Sequence, residues 1–344
     1  MSSSGTNTTS TNLDAINALK YSQNLFIQVW CFIMFSFGTV GHILSIYVFT
    51  RPSLYSNPCA KYFLASAVVG LIVVYTLVPL RLVQYVYKID AFASSDAMCR
   101  ILSWFVNWIK TLPSWFIVLA CADRVLCSSS STTIRAWSSI RVVTRATPLT
   151  ILIVGLAYVH IPFYNRLNTA SSCVTASGTY ATFFGIFSLF IFSMGPPVCM
   201  LTFGLLAIRN VRRSVKRMAP NNTLTQAQNQ NQLQHRQKAT DRQLMQMMIV
   251  QSMFFILTGT PLSFYFFYSS AISNEVLDAL QTARLNLAAS VIAFLTNGGA
   301  CMSFYVFTLS SQLFRRELIR LFNCHQQIMQ VIITVTRNNQ IQPI

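Results

Sequence analysis

Ala122-Asp123-Arg124-Val125 closes a long apolar run that opens near Cys99. The chain has only eight acidic residues, and one of them stands directly before an arginine at the edge of a hydrophobic helix. An ionisable pair at a membrane boundary is costly to place, which makes it a functional candidate. The other apolar runs, charges and cysteines can be ordered around it.

Soluble globular chains carry about 25% charged residues. This chain of 344 residues carries 10%, with 53% hydrophobic and 13% aromatic. Length alone would fit about two soluble domains. Apolar runs recur along the whole chain, however, and lipid-facing surface cannot be charged, so the composition points to an all-α membrane protein built as one helical bundle. The net charge of +17 is large enough to suggest nucleic acid. Its distribution argues against that partner, because the basic residues gather in alternate connections between apolar runs. Nine cysteines are scattered without Cys-x-x-Cys or Cys/His clusters, which excludes a zinc framework and leaves no metal site and no cofactor to propose.

Seven apolar segments are each long enough to cross about 30 Å of hydrocarbon. They run roughly over Leu25–Thr50, Cys59–Tyr85, Asp96–Cys127, Pro148–Tyr164, Tyr180–Ile208, Gln243–Tyr268 and Leu285–Leu309, a bundle spanning 25–309. The connections after segments one, three and five, together with the C-terminal tail, hold 18 of the 25 Lys/Arg. That bias places the N-terminus outside and the C-terminus inside. Residues 1–24 are then an extracellular tail without a cleavable leader, in which Asn7-Thr8-Thr9 reads as a glycosylation sequon, with a chance match in a Thr-rich tail as the alternative. The third cytoplasmic loop, 209–242, is rich in Asn and Gln and is expected to be partly disordered. In Ser311–Phe322, Phe314, Leu318, Leu321 and Phe322 share one helical face and Arg315, Arg316 and Arg320 the other. This predicts a short amphipathic cytoplasmic eighth helix lying on inner-leaflet lipid. In the tail that follows (323–344), Cys324 is placed for palmitoylation, with a plain reduced thiol as the alternative.

Specific residues now carry a resemblance. Asp123-Arg124-Val125 resembles the Asp/Glu-Arg-Tyr pattern of rhodopsin-like (class A) G-protein-coupled receptors. Gly41-His42 resembles the first-helix Gly-Asn pattern of that family, and Cys99 stands at the family's spacing before Arg124. The resemblance implies a disulfide between Cys99 and Cys173, a plasma-membrane location and a heterotrimeric G protein as partner. It also implies that Arg124 pairs with Asp123 at rest and turns toward the G protein on activation. The plain alternative for this pair is a positive-inside arginine with a neighbouring acid. Other positions depart from the family. The second-span acid is replaced by Gly70, the sixth-span tryptophan by Gly259 in Thr258-Gly259-Thr260-Pro261, and the seventh-span Asn-Pro-x-x-Tyr by Ser303-Phe304-Tyr305-Val306-Phe307. The end of the first span and the Phe314-Arg315-Arg316 run resemble FMRFamide-receptor-like neuropeptide receptors, which makes a neuropeptide the first expectation for the extracellular ligand. A small chemosensory molecule is the alternative, and a seven-helix transporter or channel a further one.

Lys110 lies mid-membrane in the third segment, near Asn107 and Trp108, and these three residues form the candidate ligand pocket. Two roles stay open for Lys110: contact to an acidic or carbonyl group of a ligand, or pairing with backbone carbonyls and water. Pro113, Pro196, Pro197 and Pro261 are candidate hinges, because proline frees carbonyls within a helix; ordinary packing kinks are the alternative. No catalytic triad or nucleotide loop can be assembled, so the chain is not read as an enzyme.

Overall fold

The computed structural model describes residues 5–168, 172–176, 178–217, 228–272, 277–312 and 314–321. Seven of its helices are long and apolar enough to cross a membrane. The fold is a seven-helix membrane bundle, as the composition and periodicity predict. The first span is the helix Gly5–Phe49, the second Pro58–Val86, the third Asp96–Cys127 and the fourth Ile140–Ala157. The fifth is broken into Thr179–Ser188, a π-helical turn Leu189–Ser193, and Gly195–Arg217. The sixth is Gln228–Ala271 and the seventh Ala279–Cys301, followed after Met302 by Ser303–Ser310.

Helix starts are where the sequence reading and the structure differ most. Helices outrun the apolar segments because a helix satisfies its own backbone in water as well as in lipid. The first therefore begins at Gly5, within the expected tail, and the sixth at Gln228, within the Asn/Gln-rich loop. Asn57 caps the second helix, its side chain accepting from the Cys59 N–H at 3.1 Å. Ser95 caps the third by accepting from the Met98 N–H at 3.1 Å.

The third helix is the spine. Within its apolar window 61% of residues are buried, against 22–39% for the other six spans. Between helices in lipid the driving force is packing, because lipid tails are as apolar as leucine. The half of the bundle that holds Arg124 is closed by an aromatic cluster in which Phe49 stacks on Phe63 at 5.3 Å between ring centroids, and Phe307 meets Phe63 edge-on at 5.3 Å. Phe314, from the helical residues 314–321, completes this cluster, 5.5 Å from Phe49 and 5.5 Å from Phe304. Phe314 and Leu318 are thus buried against the bundle, whereas the sequence reading put that face on lipid. The exposed Arg315 and Arg316 keep the predicted polar side. Cys324 and Phe322 lie outside the described residues, and so does the side chain of Asn7. Phe264, Phe267 and Tyr268 of the sixth span are exposed, as a lipid-interface belt requires.

At the end of the bundle that holds Cys99, strands β1 (Asn165–Leu167) and β2 (Cys173–Thr175) pair antiparallel, with Leu167 opposite Cys173. The third helix pins both strands. Cys99 is disulfide-bonded to Cys173, and Asp96 Oδ1 accepts from the Leu167 N–H at 3.1 Å. The pairing implied by the resemblance is therefore present.

Candidate functional site

Three regions follow one another along the third helix between the hairpin and Arg124. The outermost is a pocket of about 250 Å³ at the hairpin end of the bundle, lined largely by polar groups, among them Arg81, Gln84, Asp90, Asn107, Lys110 and Asn165. Helical periodicity explains who faces it. Ser103, Asn107 and Lys110 are spaced by four and three residues and share one face of the third helix. Trp104 and Trp108 fall on another face and stack at 4.9 Å.

Trp108 therefore turns away from the pocket in which the sequence reading placed it. Its Nε1–H donates to the Ile151 carbonyl at 3.0 Å, and its ring lies against Gly155 of the fourth span. Trp104 donates to the Gly155 carbonyl at 3.0 Å, and Trp115 to the Ile191 carbonyl at 2.9 Å. These indoles fasten the third helix to the fourth and fifth. Asn107 and Lys110 do line the pocket, with Asn107 donating to the Ser103 carbonyl at 2.8 Å.

Arg81 went unassigned in the sequence, where it reads only as one more extracellular charge. Its Nη1 donates to Gln84 Oε1 at 2.7 Å, and its guanidinium lies 5.3 Å from the centre of the Phe92 ring. A spacing signal was available, because Arg81 and Gln84 are three apart near the outer end of an apolar helix.

Lys110 also forms the roof of a second cavity of about 50 Å³, whose walls include His42, Gly70, Ser193, Gly259 and Asn297. Its ammonium sits 4.9 Å from the centre of the Phe192 ring. Gly70 and Gly259 are the positions where the family pattern has an acid and an indole. Here a Cβ at Gly70 would run into the His42 ring, and one at Gly259 would meet Ser193 O and Oγ, each at 3.3 Å. Both glycines are sites of close approach that leave no room for the usual side chains.

The candidate hinges separate into two kinds. Pro113 lies within the unbroken third helix, and its carbonyl accepts from Ser66 Oγ at 3.0 Å. Pro196 and Pro197 fall in the first turn of Gly195–Arg217, where a missing N–H removes no helix bond. The irregularity of the fifth span is instead the π-helical turn before them. Around Pro261 of the sixth span, the Gly259 carbonyl accepts from Ser193 Oγ at 2.7 Å and the Thr258 carbonyl from Thr296 Oγ1 at 2.9 Å. Side chains of the fifth and seventh spans thus hold the carbonyls next to this proline.

At the opposite end of the bundle from the hairpin, Asp123 and Arg124 are both buried. Arg124 Nη2 donates to Asp123 Oδ2 at 3.0 Å and also to Asn57 Oδ1, the atom that caps the second helix. Asp123 Oδ1 accepts from Ser138 Oγ at 2.8 Å. Both carboxylate oxygens are engaged, and the guanidinium is held between the third helix and the start of the second. Asn57 and Ser138 were not foreseen, because neither belongs to a recognisable spacing with Arg124.

No group of three or more His, Cys, Asp or Glu side chains that could hold a metal is found among the described residues. No curated protein matches the chain. The sequence profile of the 7 transmembrane receptor (rhodopsin family) matches residues 41–302, well over half of the chain. With that match, the seven spans and the Cys99–Cys173 disulfide, the chain belongs to the rhodopsin family of seven-transmembrane receptors, a family of receptors rather than of enzymes.

Proposed function

We propose that this receptor sits in the plasma membrane with its N-terminus outside, and that it converts binding of an extracellular ligand, a neuropeptide, into activation of a heterotrimeric G protein. The observation that carries this reading is the caged Arg124, buried against Asp123 and Asn57 on the spine helix that also lines the outer pocket with Asn107 and Lys110. Arginine suits the role because it stays charged and its fork can exchange partners. A two-state movement of the fifth and sixth spans about Ser193, Gly259 and Pro261 would release it, biased by ligand on one side and G protein on the other. The pocket of about 250 Å³ accommodates one end of a peptide while the remainder lies along the hairpin. It would also take a whole small molecule, the second reading. A transporter or channel is disfavoured by the aromatic cluster of Phe49, Phe63, Phe307 and Phe314, which closes the cytoplasmic half.

The test is a peptide-library screen in cells expressing a promiscuous G protein, with wild type compared with Arg124→Ala at matched surface expression. A peptide response that is abolished in the variant supports the reading. A response that persists unchanged removes Arg124 from the switch, and ligand-evoked current without G protein would replace the receptor reading with a channel.

A further inference from the structure

We propose that Lys110 and Arg81 form an anion-binding site at the junction of the outer pocket and the inner cavity. Its occupant is a small monovalent anion, either a free halide or a carboxylate carried by the extracellular ligand. Lys110 lines both spaces, and Arg81 lines the outer one. Among the described residues neither side chain makes an ion pair. Within that set Arg81 is occupied by the neutral Gln84 Oε1 and the face of Phe92, and Lys110 by the face of Phe192.

The sole carboxylate on the described walls of either cavity is Asp90, and its Oδ1 is engaged by the Phe92 N–H at 2.9 Å as the cap of a short helical turn. At the position where the family pattern supplies a buried acid, the second helix carries Gly70, with His42 filling the space. Among the described residues the buried acids are Asp123 and Glu317, both toward the cytoplasmic end and already in ion pairs. Two cations thus line one pocket against a single carboxylate, Asp90, whose Oδ1 is already engaged, which leaves one positive charge unmatched on its described walls. Ring faces compensate only part of an ammonium's lost hydration, and an anion seated between the two cations supplies the rest. Size permits it: an inner cavity of about 50 Å³ holds one or two water-sized species, and the outer pocket of about 250 Å³ admits a carboxylate.

The halide source is independent of the receptor reading above, whereas the carboxylate source rests on it. The experiment therefore reads binding without signalling. Purified full-length receptor in phosphatidylcholine nanodiscs is unfolded thermally at constant ionic strength while sodium lactobionate, too bulky for the pocket, is replaced stepwise by chloride or by acetate. Wild type is expected to gain about 2–5 °C in midpoint, saturating with concentration, as for a ligand that binds only the folded state. Lys110→Gln flattens the titration, Lys110→Arg preserves it, and Arg81→Gln moves its midpoint to several-fold higher concentration. Saturation by chloride identifies a free ion as an occupant; saturation by acetate alone identifies a carboxylate. An absence of anion-specific stabilisation in wild type overturns the site, and so does a Lys110→Gln titration identical to wild type. If Lys110→Gln does not fold, an unchanged midpoint in Arg81→Gln overturns it instead. A protein that binds anions yet never couples to a G protein would defeat the signalling proposal and leave this one standing.

Discussion

The imidazole of His42 in the first helix fills the space that a side chain at Gly70 in the second would need. Two departures from the family pattern, far apart in the chain, are thus one packing solution. Gly70→Ala is expected to lower stability by about 1–3 kcal/mol through overpacking. The lower end is favoured because the ring borders two cavities, of about 50 and 10 Å³, into which it can yield. Adding His42→Asn should return most of the loss, giving a coupling energy of at least about 0.5 kcal/mol in a double-mutant cycle of thermal midpoints. Additive effects would separate the two positions.

Gly259 makes a similar exchange with Ser193. The fifth and sixth spans touch there directly, and the Ser193 hydroxyl supports the Gly259 carbonyl at 2.7 Å. Ser193→Ala should cost about 1 kcal/mol, the net worth of one buried hydrogen bond. Gly259→Trp, which restores the family's indole, should cost more than about 3 kcal/mol, because backbone as well as side-chain atoms of Ser193 block it. Surface expression and the melting temperature of purified protein measure both. A well-expressed Gly259→Trp variant of wild-type stability would show that the spans can part freely.

How much of this was legible in the sequence follows from which forces act locally. Spans and their number were legible because hydropathy is a property of contiguous residues, and Arg124 because it breaks an apolar run. The pairings His42–Gly70 and Ser193–Gly259 were not, since each glycine reads as a loss until its neighbour in space is known. Trp108 was misplaced for want of a phase: composition put it near Lys110, while 100° per residue turns it toward Gly155. Asn57 was hidden because one side chain serves two helices, capping its own and holding Arg124.

Trp108 and Asn107 consequently give opposite signatures. Trp108→Phe removes the N–H donated to Ile151 and should lower stability by about 1 kcal/mol, with agonist potency unchanged at matched expression. Asn107→Leu should leave the melting temperature within about 2 °C while shifting potency, because its side chain faces the outer pocket. Dose–response curves beside thermal melts decide the matter, and a potency loss confined to Trp108→Phe would reverse the assignment.

The hairpin depends on two ties to the third helix. Cys173→Ser breaks the disulfide to Cys99, which closes a loop with a sequence separation of 74. The loss should cost about 2–5 kcal/mol and most of the surface expression. Asp96→Asn leaves one oxygen able to accept from the Leu167 N–H and removes only the exposed pair with Arg100, worth less than about 1 kcal/mol. Flow cytometry of surface-labelled cells should show a large drop for the first variant and a small one for the second. Equal surface levels in Cys173→Ser and wild type would mean that the hairpin holds without its covalent tie.

Asn57 separates capping from restraint of Arg124. Asn57→Ala removes both the acceptor for the Cys59 N–H and the acceptor for Arg124. It should destabilise the second helix by about 1 kcal/mol and, with Arg124 less tightly held, raise ligand-independent signalling. Asn57→Asp keeps an acceptor for the cap and adds a charge facing the guanidinium, so it should lower basal signalling below wild type while helix stability is retained. Basal second-messenger output per surface receptor, measured with a promiscuous G protein, distinguishes the two. The pair is informative because their effects on stability and signalling diverge. If both variants merely lose expression and show wild-type output per receptor, Asn57 is a helix cap and Arg124 is restrained by Asp123 without it.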